Sequence, residues 1–128
     1  MPFNNDSKKV LVLEDETAYS NVISILLKGE GYEAVVVDNV LEASELVAQD
    51  GFYAATIDGE VREEQNKPVN KYAGWKYAYR LRNENPVARI AMCTGTNLDR
   101  EGLEELASKN IAYIKKPVNE ERLRVFLE

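Results

Sequence analysis

The chain has 128 residues, of which 45% are hydrophobic and 30% are charged, so it is long enough for one domain with a sizeable core. Its net charge of −6 would repel a polyanion, which argues against direct nucleic-acid binding by this domain. No apolar run approaches the ~18 residues of a membrane span, and the N-terminal residues lack the apolar stretch of a signal peptide, so a cytoplasmic protein is expected.

The first half of the chain alternates short apolar runs with amphipathic segments, which predicts parallel strands covered by helices on both faces. Glycines end the first helix, and Asp38 and Asn39 precede the second helix as its cap. The predicted elements in chain order are a flexible segment at residues 1–8, a strand at about Lys9–Leu13, a helix at about Thr17–Lys28, a strand at about Glu33–Val37 and a helix that begins after Asn39.

The second half continues this repeat but contains one abnormal connection. The predicted elements are a strand at about Phe52–Ile57, a helix at about Gly74–Arg82, a strand at about Arg89–Cys93, a helix at about Asp99–Ser108, a strand at about Ala112–Ile114 and a helix at Glu120–Leu127. The polar segment Gly59–Ala73 is far longer than the ~2–6 residues usual between a strand and the next helix. It is either a tolerated surface insertion or a lid or partner-binding loop. The whole pattern predicts a three-layer α/β domain over residues 1–128.

Chemically active side chains stand where four of these strands end. Glu14 and Asp15 follow the first strand, Asp58 follows the third, Thr94 follows the fourth and Lys116 follows the fifth. In an open parallel sheet, the residues just past the carboxyl ends of the strands gather in one crevice. We therefore expect carboxylates, a hydroxyl and an ammonium to meet at one point.

The acidic residues predict a site for a hard cation, although acids in a first helical turn also complement the helix dipole. Two carboxylates about 4 Å apart repel by about 4 kcal/mol at an effective dielectric of 20, so they must protonate or bind a cation. The chain has no histidine, and its one cysteine, Cys93, lies in an apolar run and is expected to be a buried free thiol. Oxygen ligands favour Mg²⁺ over zinc. Asp15 and Asp58 are the expected direct ligands, with Glu14 acting through water.

Asp58 beside such a cation is positioned as a nucleophile, because carboxylates form aspartyl-phosphate intermediates. Lys116 would supply positive charge for a transferring phosphoryl group, and Thr94 would donate its hydroxyl to one of the phosphoryl oxygens. Each residue alone has a simpler structural explanation, such as a turn former or a solvated lysine. Their occurrence at successive strand ends favours the functional interpretation. Nucleotide binding is excluded, because the turn after the first strand is acidic rather than glycine-rich.

These segments together resemble the receiver domain of two-component response regulators, of the chemotaxis-regulator type. The matching segments are Val10–Glu16, Ala54–Asp58, Ile90–Gly95 and Tyr113–Pro117. The resemblance implies a doubly wound, flavodoxin-like, five-stranded parallel sheet in the order 2-1-3-4-5. It also implies the roles of the site residues. Asp58 would be the phosphoacceptor, Glu14 and Asp15 would be the acidic pair that serves Mg²⁺, and the backbone carbonyl of Glu60 would be a further metal ligand. Thr94 and Lys116 would engage the phosphoryl group, and Tyr113 would act with Thr94 as the switch.

The function that the resemblance implies is a phosphoacceptor switch, which catalyses only its own phosphorylation and dephosphorylation. A histidine kinase or phosphotransfer protein would phosphorylate Asp58. The face formed by the fourth helix, the fifth strand and the fifth helix would then change its preference for a downstream protein or for a second copy of the chain. The chain is either a stand-alone regulator or the receiver of a longer protein. There are two alternatives. One is a phosphatase of the haloacid-dehalogenase type, because the segment Asp58-Gly59-Glu60-Val61 weakly resembles the nucleophile motif of that family. The other is a binding module that is not phosphorylated.

Overall fold

The computed structural model describes residues 3–128, which form a five-stranded parallel sheet, five helices and a two-stranded hairpin. The elements in chain order are β1 (Lys9–Leu13), α1 (Thr17–Gly29), β2 (Glu33–Val37), α2 (Val40–Gln49), β3 (Ala54–Ile57), β4 (Val61–Arg62), β5 (Val69–Asn70), α3 (Ala73–Glu84), β6 (Arg89–Thr94), α4 (Arg100–Ser108), β7 (Ala112–Lys115) and α5 (Glu120–Leu127). Within residues 3–128, no helix has the length and apolar character needed to cross a membrane.

The main sheet confirms the predicted fold and strand order. Its order is β2-β1-β3-β6-β7 with all neighbours parallel, which is 2-1-3-4-5 once the hairpin strands β4 and β5 are set aside. The run Val10–Leu13 in β1 is buried on both faces, because helices cover both sides of a central parallel strand. Leu13 pairs in register with Ile57 of β3 and with Val37 of β2. The strands β1 and β3 therefore end at the same level of the sheet.

Alternate residues of the strands pack into two hydrophobic clusters, one on each face of the sheet. The first cluster contains Leu11 and Ile57 from the strands and joins them to α2, α3 and α4, for example through Tyr77. The second cluster joins the opposite face to α1 and α5, for example through Leu123. Cys93 lies in this second cluster as a free thiol, and burial raises its pKa to about 12. The result is the expected three-layer arrangement with an inert buried cysteine.

Within the N-terminal segment that was predicted to be flexible, Phe3 and Asn4 contact Phe52, two residues before β3. Phe3 is only 5% exposed and forms a parallel bridge with Phe52, and the amide of Asn4 donates to the carbonyl of Phe52 at 2.8 Å. The cause is hydrophobic, because the Phe3 ring packs 6.4 Å from the Phe52 ring, centroid to centroid, and adds to the first cluster. Residues 1 and 2 lie outside the described residues.

The long connection between β3 and α3 has structure of its own. Its strands β4 and β5 pair antiparallel and form a hairpin. Arg62 of β4 forms a bridge with Asn39 at the start of α2, and Val61 is fully buried in the first cluster. The residues 63–69 at the tip are exposed. The prediction of a polar loop therefore holds for the tip, whereas the base is anchored in the core by an apolar residue.

Candidate functional site

The predicted site residues meet at the carboxyl end of the sheet because backbone pairing continues one step past the strands. The amide of Asp58 donates to the carbonyl of Leu13 at 2.9 Å, and the amide of Lys116 donates to the carbonyl of Thr94 at 2.9 Å. These bonds bring Asp58 next to Glu14, which follows Leu13, and bring Lys116 next to the end of β6. Glu14, Asp58 and Thr94 are all buried.

The ammonium of Lys116 lies between two carboxylates. Its Nζ is 2.5 Å from Glu14 Oε1 and 3.1 Å from Asp58 Oδ2, and the side chains of the three residues are 1% to 9% exposed. Burial alone lowers the pKa of Lys116, but Glu14 and Asp58 outweigh it and the pKa of Lys116 is raised. Lys116 therefore carries its charge at neutral pH, in a place where water screens it poorly.

The ionised form of Glu14 is destabilised by its burial. Burial raises its pKa to about 7, the charge of Asp58 adds to the rise, and Lys116 opposes it. Its Oε2 accepts from the amide of Glu16 at 3.2 Å. Its Oε1 is close enough to Lys116 for an ion pair, but the angles do not make a hydrogen bond and the atom has no other partner in residues 3–128. One lysine thus leaves a buried carboxylate incompletely compensated.

The acidic cluster fits a divalent cation. Glu14, Asp15 and Asp58 each offer a carboxylate oxygen, and these oxygens all lie within 4.8 Å of one another. The Oε1 of Glu14 accepts no hydrogen bond within residues 3–128, so a divalent cation would give this oxygen a second positive partner beside Lys116. Hard oxygen ligands suit Mg²⁺, and the buried Cys93 thiol, with its raised pKa, is not available as a soft ligand.

The site opens to solvent through a cleft of about 280 Å³. Asp58 and Lys116 line it from the sheet, and Thr94 lines it from the end of β6. Glu60 lies at its rim with an exposed side chain, one residue before the hairpin. The structure thus brings every predicted site residue except Tyr113 to the acidic cluster or its cleft.

Tyr113 and Thr94 are connected through Thr96 rather than directly. The amide of Thr96 donates to Thr94 Oγ1 at 3.2 Å, and the two threonine hydroxyls are 3.3 Å apart. The hydroxyl of Tyr113, on β7, donates to the carbonyl of Thr96 at 2.6 Å. Hydrogen bonds therefore link Thr94 to Tyr113 through Thr96, which lies in the loop between β6 and α4.

Two residues at the site received no functional role from the sequence. Tyr19, in the first turn of α1, lines the cleft, and its ring centroid is 4.1 Å from Lys116 Nζ. Gly74, in the first turn of α3, lies where a Cβ would be 1.7 Å from the carbonyl oxygen of Asp58. The only available signal was position, because both helices begin at the same end of the sheet as the predicted site.

The sequence of residues 10–128 matches the family described as "Response regulator receiver domain". A curated relative is the transcriptional regulatory protein ZraR of Klebsiella oxytoca, which is 24% identical over 118 residues. The match covers 92% of this chain but only 25% of ZraR, so the chain spans about a quarter of the length of that relative.

Solved structures share the fold. A CheY-like response regulator receiver domain protein from Methanospirillum hungatei is 23% identical, with a TM-score of 0.72 and coverage of 94% of this chain and 90% of the other. A two-component response regulator from Clostridium difficile is 20% identical, with a TM-score of 0.74 and coverage of 93% and 91%. Because both identities are below 25%, the similarity to these structures shows a shared fold and no more.

Proposed function

The chain belongs to the family of response regulator receiver domains, and we propose that it is a phosphoacceptor switch of a two-component phosphorelay that is phosphorylated on Asp58. The observation that carries the proposal is the position of Lys116, whose ammonium lies 3.1 Å from Asp58 Oδ2 and 2.5 Å from Glu14 Oε1 in a buried site. A carboxylate beside a fixed positive charge and an acidic cluster suits covalent phosphoryl transfer.

The donor would be a phosphohistidine on a histidine kinase or on a phosphotransfer protein. A carboxylate oxygen of Asp58 attacks the phosphorus while the bond from phosphorus to the donor nitrogen breaks, and the departing imidazole takes up a proton. Lys116 offsets negative charge on the phosphoryl oxygens during the transfer. Mg²⁺, when bound, supplies further positive charge for the same oxygens.

Receiver domains bind Mg²⁺ in an acidic pocket, and we assign the ligands in this chain to the cluster at the ends of β1 and β3. Asp15 and Asp58 would bind the cation directly, Glu14 would bind it through water, and Glu60 would contribute its backbone carbonyl. The assignment is supported by the short distances among the three carboxylates and by the position of Glu14 Oε1, whose charge is offset only by Lys116.

Phosphorylation adds negative charge and acceptor oxygens to the site. In our proposal the hydroxyl of Thr94 and the ammonium of Lys116 bind those oxygens, so Thr94 releases its contacts with Thr96. We expect Thr96 to move once it is released, which breaks the hydrogen bond from the Tyr113 hydroxyl to the Thr96 carbonyl. The Tyr113 ring then repacks. The change then reaches the face formed by α4, β7 and α5, where partner preference would alter.

The role that follows is signalling rather than metabolism. Attack by water on the phosphorus of the acyl phosphate would release inorganic phosphate and restore Asp58, so the domain turns over no separate metabolite. The expected output is binding of a downstream protein, or of a second copy of the chain, in the cytoplasm, without direct contact to DNA. Membership of the receiver family favours this role over the phosphatase alternative.

The test is incubation with acetyl phosphate and Mg²⁺, followed by intact-mass measurement. The wild type should gain one phosphoryl mass, and the Asp58→Asn variant should gain none. The matched control is Asp50→Asn, an exposed aspartate that follows the last residue of α2, which should be labelled like the wild type. Labelling of Asp58→Asn to the wild-type extent would remove the basis of the proposal.

A further inference from the structure

Tyr19 makes the closest cation–aromatic contact in residues 3–128. Its ring centroid is 4.1 Å from Lys116 Nζ, whereas the other five such contacts measure 4.8 to 5.5 Å. The Lys116 side chain is 7% exposed. A cation held over an aromatic face in a desolvated place is attracted more strongly than one at the surface.

The three contacts of the Lys116 ammonium are not equivalent. Two of them are with Glu14 and Asp58, the carboxylates that are expected to serve a divalent cation. A cation that binds these carboxylates weakens their attraction for the ammonium. The ring of Tyr19 offers no oxygen from its face, so its contact with Lys116 is compatible with an occupied acidic cluster.

We infer that Tyr19 is a positioning residue whose ring holds the Lys116 ammonium in the cleft when the carboxylates exchange it for a divalent cation. The inference rests on the proposed function, because it concerns how the lysine is presented to a phosphoryl group on Asp58. Tyr19 lines the cleft together with Asp58 and Thr94, so an ammonium held on its ring stays at the place where the phosphoryl group would lie.

The aromatic face is what this role requires, and the phenol hydroxyl is not. Tyr19→Phe keeps the face and should behave like the wild type. Tyr19→Leu keeps an apolar side chain that is compatible with a helix, but it removes the face. In Tyr19→Leu the Lys116 ammonium has only the carboxylates of Glu14 and Asp58 as partners. It should therefore compete more strongly with a divalent cation for these two carboxylates.

The contact itself can be tested without any metal or phosphoryl donor. Protons near the face of an aromatic ring are shifted upfield, so the ε-methylene protons of Lys116 should resonate upfield of those of exposed lysines in NMR spectra of the metal-free protein. Tyr19→Phe should retain this shift, and Tyr19→Leu should lose it. Ordinary chemical shifts for Lys116 in the wild type would overturn the inference at its first step.

The consequence can be tested by Mg²⁺ titration. The single tryptophan, Trp75, lies against Gly59, the neighbour of Asp58, so its fluorescence is a probe next to the site. Tyr19→Leu should bind Mg²⁺ on the order of threefold to tenfold more weakly and should be phosphorylated by acetyl phosphate more slowly by a similar factor. Tyr19→Phe should restore both values.

The matched control is Tyr79→Leu, which removes another half-buried ring whose centroid is 5.2 Å from the ammonium of Lys109, away from the cleft. This variant should bind Mg²⁺ like the wild type. If the wild type binds Mg²⁺ and is phosphorylated while Tyr19→Leu matches it in both, the role of Tyr19 is refuted and the proposed function stands. If the wild type is not phosphorylated at all, the proposed function fails first.

Discussion

Gly74 has no side chain where a Cβ would lie 1.7 Å from the carbonyl oxygen of Asp58. The amide of Gly74 also donates to the carbonyl of Gly59 at 2.9 Å. The first turn of α3 is therefore packed directly on the backbone that carries the predicted nucleophile. A displacement of one by the other would change both the stability of the domain and the position of Asp58.

Gly74→Ala should destabilise the domain by about 2 kcal/mol or more, because the added methyl group would overlap backbone rather than a movable side chain. It should also slow phosphorylation of the fraction that remains folded. Urea unfolding and intact-mass measurement check the two effects. The control is Gly29→Ala at the end of α1, where a Cβ would meet no atom within 4 Å. Equal stability of the two variants would show that the close approach of α3 is not required.

The raised pKa of Glu14 predicts a stability that depends on pH in the absence of divalent cations. Burial raises this pKa from 4.5 to about 7. The folded state thus binds the Glu14 proton more tightly than the unfolded state, and Glu14 lowers the free energy of unfolding as pH rises from about 4.5 to about 7. Its contribution is roughly 3 kcal/mol at most. Urea unfolding at several pH values should show a shallower fall in Glu14→Gln than in the wild type.

The same proton should compete with Mg²⁺. Millimolar Mg²⁺ should raise the melting temperature more at pH 8 than at pH 6, since the cation binds the ionised form of Glu14 and stabilises the folded state. Asp15→Ala should lose most of this response, because it removes a proposed direct ligand. A response that persists unchanged in Asp15→Ala would place the cation elsewhere on the molecule.

Lys116→Ala should separate metal binding from signalling. Its removal leaves Glu14 and Asp58 facing each other without a positive charge, so the metal-free protein should lose stability, and Mg²⁺ should restore part of that loss. The phosphorylated state loses the ammonium that binds its oxygens, so partner binding should no longer respond to phosphorylation. Lys28→Ala, at the exposed end of α1, is the control. A full response in Lys116→Ala would contradict the role given to the lysine.

Much of the fold could be predicted because each strand of the parallel sheet is a short apolar run between polar turns. The bounds of β1, β2 and α5 agree with the predictions, and the strand order followed from the resemblance. The site could be anticipated for a related reason, since Glu14 and Asp58 stand one residue past strands that end at the same level. Chain connectivity and pairing geometry were enough to bring them together.

Contacts made by single side chains could not be predicted in this way. Phe3 packs on Phe52 over a long sequence separation, and one isolated phenylalanine has no periodic pattern to reveal it. Val61 stands in a polar segment, where its burial depends on how the hairpin meets α2. The position of Tyr19 over Lys116 depends on the rotamers of both residues.

Val61→Ala should therefore destabilise the domain by about 2 kcal/mol, which is typical of the loss of a buried valine side chain. Val69→Ala, on the partner strand of the hairpin, should cost less than about 0.5 kcal/mol because Val69 is 42% exposed. Chemical denaturation of the two variants provides the comparison. Equal losses would mean that the base of the hairpin is not anchored in the core.

The exposed tip of the hairpin should affect phosphorylation rather than folding. Replacing residues 64–68 by a two-residue turn leaves in place Val61 and Glu63, whose carbonyl accepts from the amide of Leu41 at 2.9 Å. The melting temperature should therefore change little, because loop length alone costs little free energy. The connection leaves directly from Asp58, and we expect its tip to shield an acyl phosphate from water or to contact the donor protein. The shortened protein should therefore differ from the wild type either in its dephosphorylation rate or in its choice of donor. Unchanged values for both would mean that the tip is a tolerated insertion without a role in the phosphorelay.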